Sequence, residues 1–155
     1  MMRSAQAILL MIFSTLVFAW LNIGGLVDGP PPDIWNLLLS LMFLLIWYTW
    51  GFSQGKKQNR SYLLYASTFW GLGIIATILC VIFSGLSILT SLWLLSFPFI
   101  APMNGFGFLT RDLTENLRYL NLIYKPVLPL LITLIGYYMG KKKSNMDRQD
   151  EKFNL

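Results

Sequence analysis

The chain contains no histidine among its 155 residues and a single cysteine. Histidine is the commonest general base and metal ligand near neutral pH, so its absence removes most hydrolytic and metal-assisted mechanisms. One cysteine, Cys80, allows neither an internal disulfide nor a CxxC redox or zinc pattern. Its place inside an apolar block reads as small-residue packing. Charge is equally scarce at 12% of residues, about half the usual share for a soluble domain. Only seven residues are acidic, none of them in the middle of an apolar block. No serine has an identifiable base nearby, and "NGFGF" lacks the lysine and following residues of a phosphate loop. The sequence therefore predicts no catalysis, no cofactor and no bound metal.

What is abundant is apolar. The chain is 55% hydrophobic and 15% aromatic, with a mean hydropathy of +0.58. The apolar residues come in blocks of about twenty, the length that spans a hydrocarbon core of roughly 30 Å. Four blocks are clear, at about 5–27, 34–52, 62–84 and 119–140. The first competes with a signal peptide, but its apolar part is long and Trp20 with Asn22 makes a poor cleavage site, which favours a retained helix. "DGPPPD" ends it, and Asp33 then stands where it can cap the second helix.

The net charge of +5 lies beside these blocks, as positive-inside flanks do, and points to a lipid bilayer and not to nucleic acid. Arg3, Lys56, Lys57, Arg60, Lys141, Lys142, Lys143, Arg148 and Lys152 fall on one side if Leu86–Phe108 does not cross, leaving Arg111, Arg118 and Lys125 opposite. If that segment does cross, the tail changes sides and the distribution becomes seven against five. The bias favours four crossings over five. Pro98 and Pro102 support the same choice, because each interrupts helical hydrogen bonding. The predicted fold is all-α: an integral membrane four-helix bundle with an extra re-entrant or interfacial segment at 86–118. Within that segment a short helix is expected near Ser87–Phe97, then a non-helical return over Pro98–Gly107 that the bundle must shelter. A disordered cytoplasmic tail is expected at 141–155.

Trp47, Tyr48, Trp50, Tyr62, Tyr65, Tyr137 and Tyr138 are read as anchors in the cytoplasmic headgroup layer, with Trp20, Trp35, Tyr119 and Tyr124 at the opposite interface. Small residues mark packing faces. These are Ser4, Ala7, Ser14, Thr15 and Asn22 on the first helix; Ala66, Gly73, Thr77, Cys80 and Ser84 on the third; and Thr133, Gly136 and Gly140 on the last. On the second helix Asn36, Ser40, Phe43, Trp47 and Gly51 share a face.

An amide contact is expected between Asn22 and Asn36, which otherwise form the polar mouth of a ligand path. Lys125 is expected to snorkel to the outer headgroups, with a bend near it at Pro126 and Pro129. Asp112 and Glu115 read as capping residues. The weak interaction or pore candidates are Asn22, Asn36, Pro98, Pro102, Arg111, Asp112, Glu115 and Lys125. The composition predicts a multi-pass protein of the plasma or inner membrane with both termini cytoplasmic. It fits an accessory protein that binds another membrane protein, associates with itself, or protects against a membrane-active agent. An oligomeric small-solute transporter or channel is the alternative.

Overall fold

The computed structural model describes residues 4–23, 31–83, 90–110 and 118–153. The described residues are all-α, with five α-helices and no strand: α1 (Ser4–Leu21), α2 (Ile34–Lys56), α3 (Arg60–Ile82), α4 (Thr90–Ile100) and α5 (Arg118–Phe153). A 3-10 segment, Ala101–Phe108, follows α4 directly. Three helical stretches, Ile34–Lys56, Arg60–Ile82 and Leu122–Gln149, are long and apolar enough to cross a membrane. The described apolar part of α1, Leu9–Leu21, is shorter.

Side-chain contacts fix the helix directions. Asn36 and Phe43 of α2 meet Asn22, just past α1, and Phe18 of α1, so these two helices are antiparallel. Trp47 meets Trp70, and Trp50 meets Tyr62, so α2 and α3 are antiparallel as well. Helix α5 runs parallel to α2, with Gly51 against Thr133, Gly55 against Tyr137 and Gly140 against Phe52. Two GxxxG pairs, Gly51 with Gly55 and Gly136 with Gly140, bring these backbones together. A Cβ placed at Gly51 would stand 2.6 Å from the Thr133 carbonyl oxygen. Close backbone approach is what small residues give helices that lack a strong hydrophobic drive in lipid. The small-residue faces expected on the second, third and last helices are buried at Ser40, Gly51, Ala66, Gly73, Thr77, Cys80, Thr133, Gly136 and Gly140.

These directions give the molecule two unlike ends. At one, the α2–α3 turn carries Lys56, Lys57 and Arg60 beside the part of α5 that holds Lys141, Lys142 and Lys143. Gln58 Nε2 donates to Asn145 Oδ1 across 2.9 Å and ties the two together. Gln58 adopts φ 51°, the left-handed position that often closes a helix. The other end collects Asn22, Asn36 and Lys125 and is called the asparagine end below.

The core is aromatic. Phe43, Trp47, Tyr62 and Trp70 are each at most 1% exposed, and Trp47 packs edge-on to Trp70 at 5.0 Å. Trp47, Tyr62 and Tyr137 are therefore core residues, contrary to the interfacial role read from sequence. Proximity to basic residues in the sequence does not show which way a side chain faces, and Trp47 meets Trp70 near the middle of both helices. Tyr48, Tyr65 and Tyr138 are at least partly exposed.

One further expectation is corrected. The chain does not lose helical structure at Pro98. That residue lies in the last turn of α4, and the 3-10 segment carries the backbone on through Pro102 and Gly107. Proline lacks only one amide hydrogen, and a tight 3-10 turn continues where an α-helix would not. Helix α5 extends through Lys141–Lys143 to Phe153, over most of the stretch read from sequence as a tail. After Gly140 there is no proline or glycine, and Lys, Met, Arg, Gln and Glu are all good helix formers. Helix α5 likewise continues through Pro126 and Pro129.

Candidate functional site: a re-entrant arm held by amides and a lysine

Helix α4 and the 3-10 segment form an arm that enters the molecule and comes back. Helix α3 ends at the asparagine end, yet Phe99 near the end of α4 packs on Phe69, Trp70 and Gly73, some three turns back along α3. The arm has therefore reached mid-molecule. From there Pro102 meets Ser40, Gly105 meets Asn36, and Gly107 meets Pro32 in succession. Between Pro102 and Gly105, three residues at about 2 Å each match four α2 residues at about 1.5 Å each, both about 6 Å of travel toward the asparagine end. Ala101 to Gly105 are all buried.

Burying irregular backbone away from water requires partners for its polar groups. Ser40 supplies two. Its hydroxyl donates to the Pro102 carbonyl at 2.8 Å and accepts the Gly105 N–H at 3.1 Å. Asn22 Nδ2 donates to the same Pro102 carbonyl at 3.0 Å and lies 3.4 Å from Ser40 Oγ. Gly105 has no side chain because the α2 backbone at Asn36 and Leu37 occupies the space a Cβ would need.

The expected amide contact is present, since Asn36 Nδ2 donates to Asn22 Oδ1 at 3.1 Å. The orientation of the Asn36 amide follows from the start of α2. Asp33 accepts the Asn36 N–H at 3.0 Å, and Asn36 Oδ1 accepts the Asp33 N–H at 3.1 Å, completing a capping box. With its oxygen turned to Asp33, its NH₂ group faces Asn22. A helix cap at the surface thus orients a half-buried amide.

Lys125 does not snorkel outward. It is 5% exposed, and its ammonium donates to Asn104 Oδ1 at 3.2 Å, while Asn104 Nδ2 donates to the Asn22 carbonyl at 3.4 Å. Asn104 is its one hydrogen-bond partner among the described residues. The stem points inward because the 3-10 segment offers an acceptor at that level, something helix position alone does not reveal.

Of the residues singled out from sequence, Asn22, Asn36, Pro102 and Lys125 converge here. Pro98 lies a turn away in α4 and contributes no polar group. Arg111, Asp112 and Glu115, like Ser87, Ser84 and the 24–30 loop, lie outside the described residues. Asn104 was missed, although a lone amide in "FIAPMNGFGF" was a usable signal. The site contains amides, a hydroxyl and an ammonium, which can bind and orient. Among the described residues no three His, Cys, Asp or Glu side chains come together as a metal cluster would require. Comparison of the chain with protein-family models, curated proteins and solved structures finds no match.

Proposed function

We propose that the chain is a four-crossing protein of the plasma or inner membrane, with both termini cytoplasmic, that acts by binding and not by catalysis. The re-entrant arm is its recognition element, and the partner is another membrane protein. Three long apolar helices support the membrane placement. Helices α1, α2, α3 and α5 alternate in direction by chain order, and the basic residues gather at one end, which the positive-inside rule assigns to the cytoplasm.

The observation that carries the reading is the fastening of the arm. Side chains from α1, α2 and α5 converge to hold Ala101–Gly105, while Phe108 and Leu109 at its exit are 40% and 63% exposed. A 3-10 segment held from several helices that presents apolar side chains at its exit is suited to recognition. A photo-crosslinking residue at Leu109 is expected to capture one discrete membrane protein in native membranes, whereas one at Leu131 captures only lipid. Adducts formed only with other copies of the chain would contradict a heterologous partner.

A transporter or channel is the second reading, favoured by the ionisable Lys125 inside a long apolar helix. Under it, proteoliposomes take up a small anionic solute and lose that uptake on Asn36→Leu. Intact proteoliposomes that show no flux remove this reading.

A further inference from the structure

At the asparagine end α1 and α2 are tied by Asn22, Asn36 and Ser40, and Phe18 lies 5.3 Å from Phe43. Toward the basic end a gap opens between them. It is a cavity of about 390 Å³ lined by Leu10, Phe13, Ser14, Ile46, Thr49 and Trp50 and open along its side.

Both hydroxyls in the lining are turned back on their own helices. Ser14 donates to the Met11 carbonyl and Thr49 to the Ile46 carbonyl, each at 3.0 Å. The remaining wall is hydrocarbon and indole. It is also bulky, whereas helices that pack in lipid use small residues to approach closely. The two lines of α2 that form the wall continue toward the basic end. Positions 46, 50, 53 and 57 recur on one face, and 49, 53 and 56 on its neighbour, so each line ends at an exposed lysine, Lys57 or Lys56. From Trp50 to Lys57 the helix rises about 10 Å.

We infer that this gap is a binding site for one anionic phospholipid, with an acyl chain between α1 and α2 and its phosphate at Lys56 and Lys57. A flexible chain fills a bulky, open hydrocarbon groove as a partner helix does not, and the paired lysines select negative charge at the level where the chain meets the headgroup. The inference rests on the membrane placement proposed above.

The test is native mass spectrometry of the purified full chain released from micelles containing equal amounts of phosphatidylglycerol and phosphatidylcholine. One phosphatidylglycerol is retained in preference. Lys57→Gln weakens that retention about fivefold, the equivalent of about 1 kcal/mol per lysine at a lipid surface. Lys143→Gln, at the same end but off the groove, leaves it unchanged. Ser14→Phe fills the gap and abolishes retention while circular dichroism still reports the helices. Equal retention of both lipids overturns the inference, as does an equal loss from Lys57→Gln and Lys143→Gln, which would show diffuse charge attraction. Those results leave the membrane placement intact. A chain that stays in the aqueous phase without detergent overturns both.

Discussion

Ser40 on α2 donates its hydroxyl to the carbonyl of Pro102 over 2.8 Å while accepting the N–H of Gly105, so one side chain supports both a donor and an acceptor of the re-entrant arm. Ser40→Ala removes both contacts without adding bulk. Leaving a buried polar group unsatisfied costs about 1–3 kcal/mol. A loss in that range is expected in a denaturant titration in micelles, together with faster hydrogen exchange at Gly105. Exchange at Thr77 on α3 should remain slow.

Asn104 and Lys125 should behave as a coupled pair. Asn104→Leu leaves a buried ammonium without its acceptor, a situation that costs about 3–5 kcal/mol. Lys125→Met keeps the volume and removes the charge but leaves the buried Asn104 oxygen without its donor, so its own cost should be smaller, about 1–3 kcal/mol. The double variant should recover most of the stability that Asn104→Leu loses. A double-mutant cycle in micelles measures this, and simple additivity would show that the two residues act separately.

The glycines of α2 and α5 predict a sharp positional contrast. A Cβ at Gly140 would collide with the Phe52 carbonyl, and the backbone cannot yield as a flexible side chain can. Gly140→Ala should cost about 1–3 kcal/mol, the range for overpacking. At Gly71 a Cβ would meet nothing within 4 Å. Gly71→Ala should stabilise by up to about 1 kcal/mol through helix propensity. Thermal unfolding of the two variants side by side checks both signs.

Tyr62 is 1% exposed, and its hydroxyl finds no hydrogen-bond partner among the described residues. Tyr62→Phe keeps the ring against Trp50 and removes the unsatisfied oxygen. Stability should rise by about 1 kcal/mol or more, since such a group costs about 1–3 kcal/mol to bury. A decrease in thermal stability would mean that the hydroxyl has a partner.

The helices and their packing faces were legible because their signals are local. Blocks of apolar residues, the Asp33 cap, and Gly136 with Gly140 can all be read within a few turns. The contact of Asn22 with Asn36 was also within reach, because a short connection places both at adjacent helix ends. Harder to read was any property set by a neighbour distant in sequence. Trp47 looks interfacial until Phe69 and Trp70 are seen beside it, as Tyr62 does until Trp50 packs on it, and Lys125 looks free to snorkel until Asn104 meets it. Gly55 was overlooked because it lies past the apolar block, where the polar sequence "SQGKK" suggests that the helix has already ended.

The arm returns to the end from which it enters, and under the membrane placement proposed above Leu109 and the end of α5 lie on opposite membrane faces. Single cysteines at Leu109 and Arg148, in a Cys80→Ala background, can be treated in intact cells with a membrane-impermeant thiol reagent. Labelling of the Leu109 site is expected from outside, and of the Arg148 site only after permeabilisation. An Arg148 site labelled in intact cells, with Leu109 protected, would show that the arm crosses and would contradict that placement.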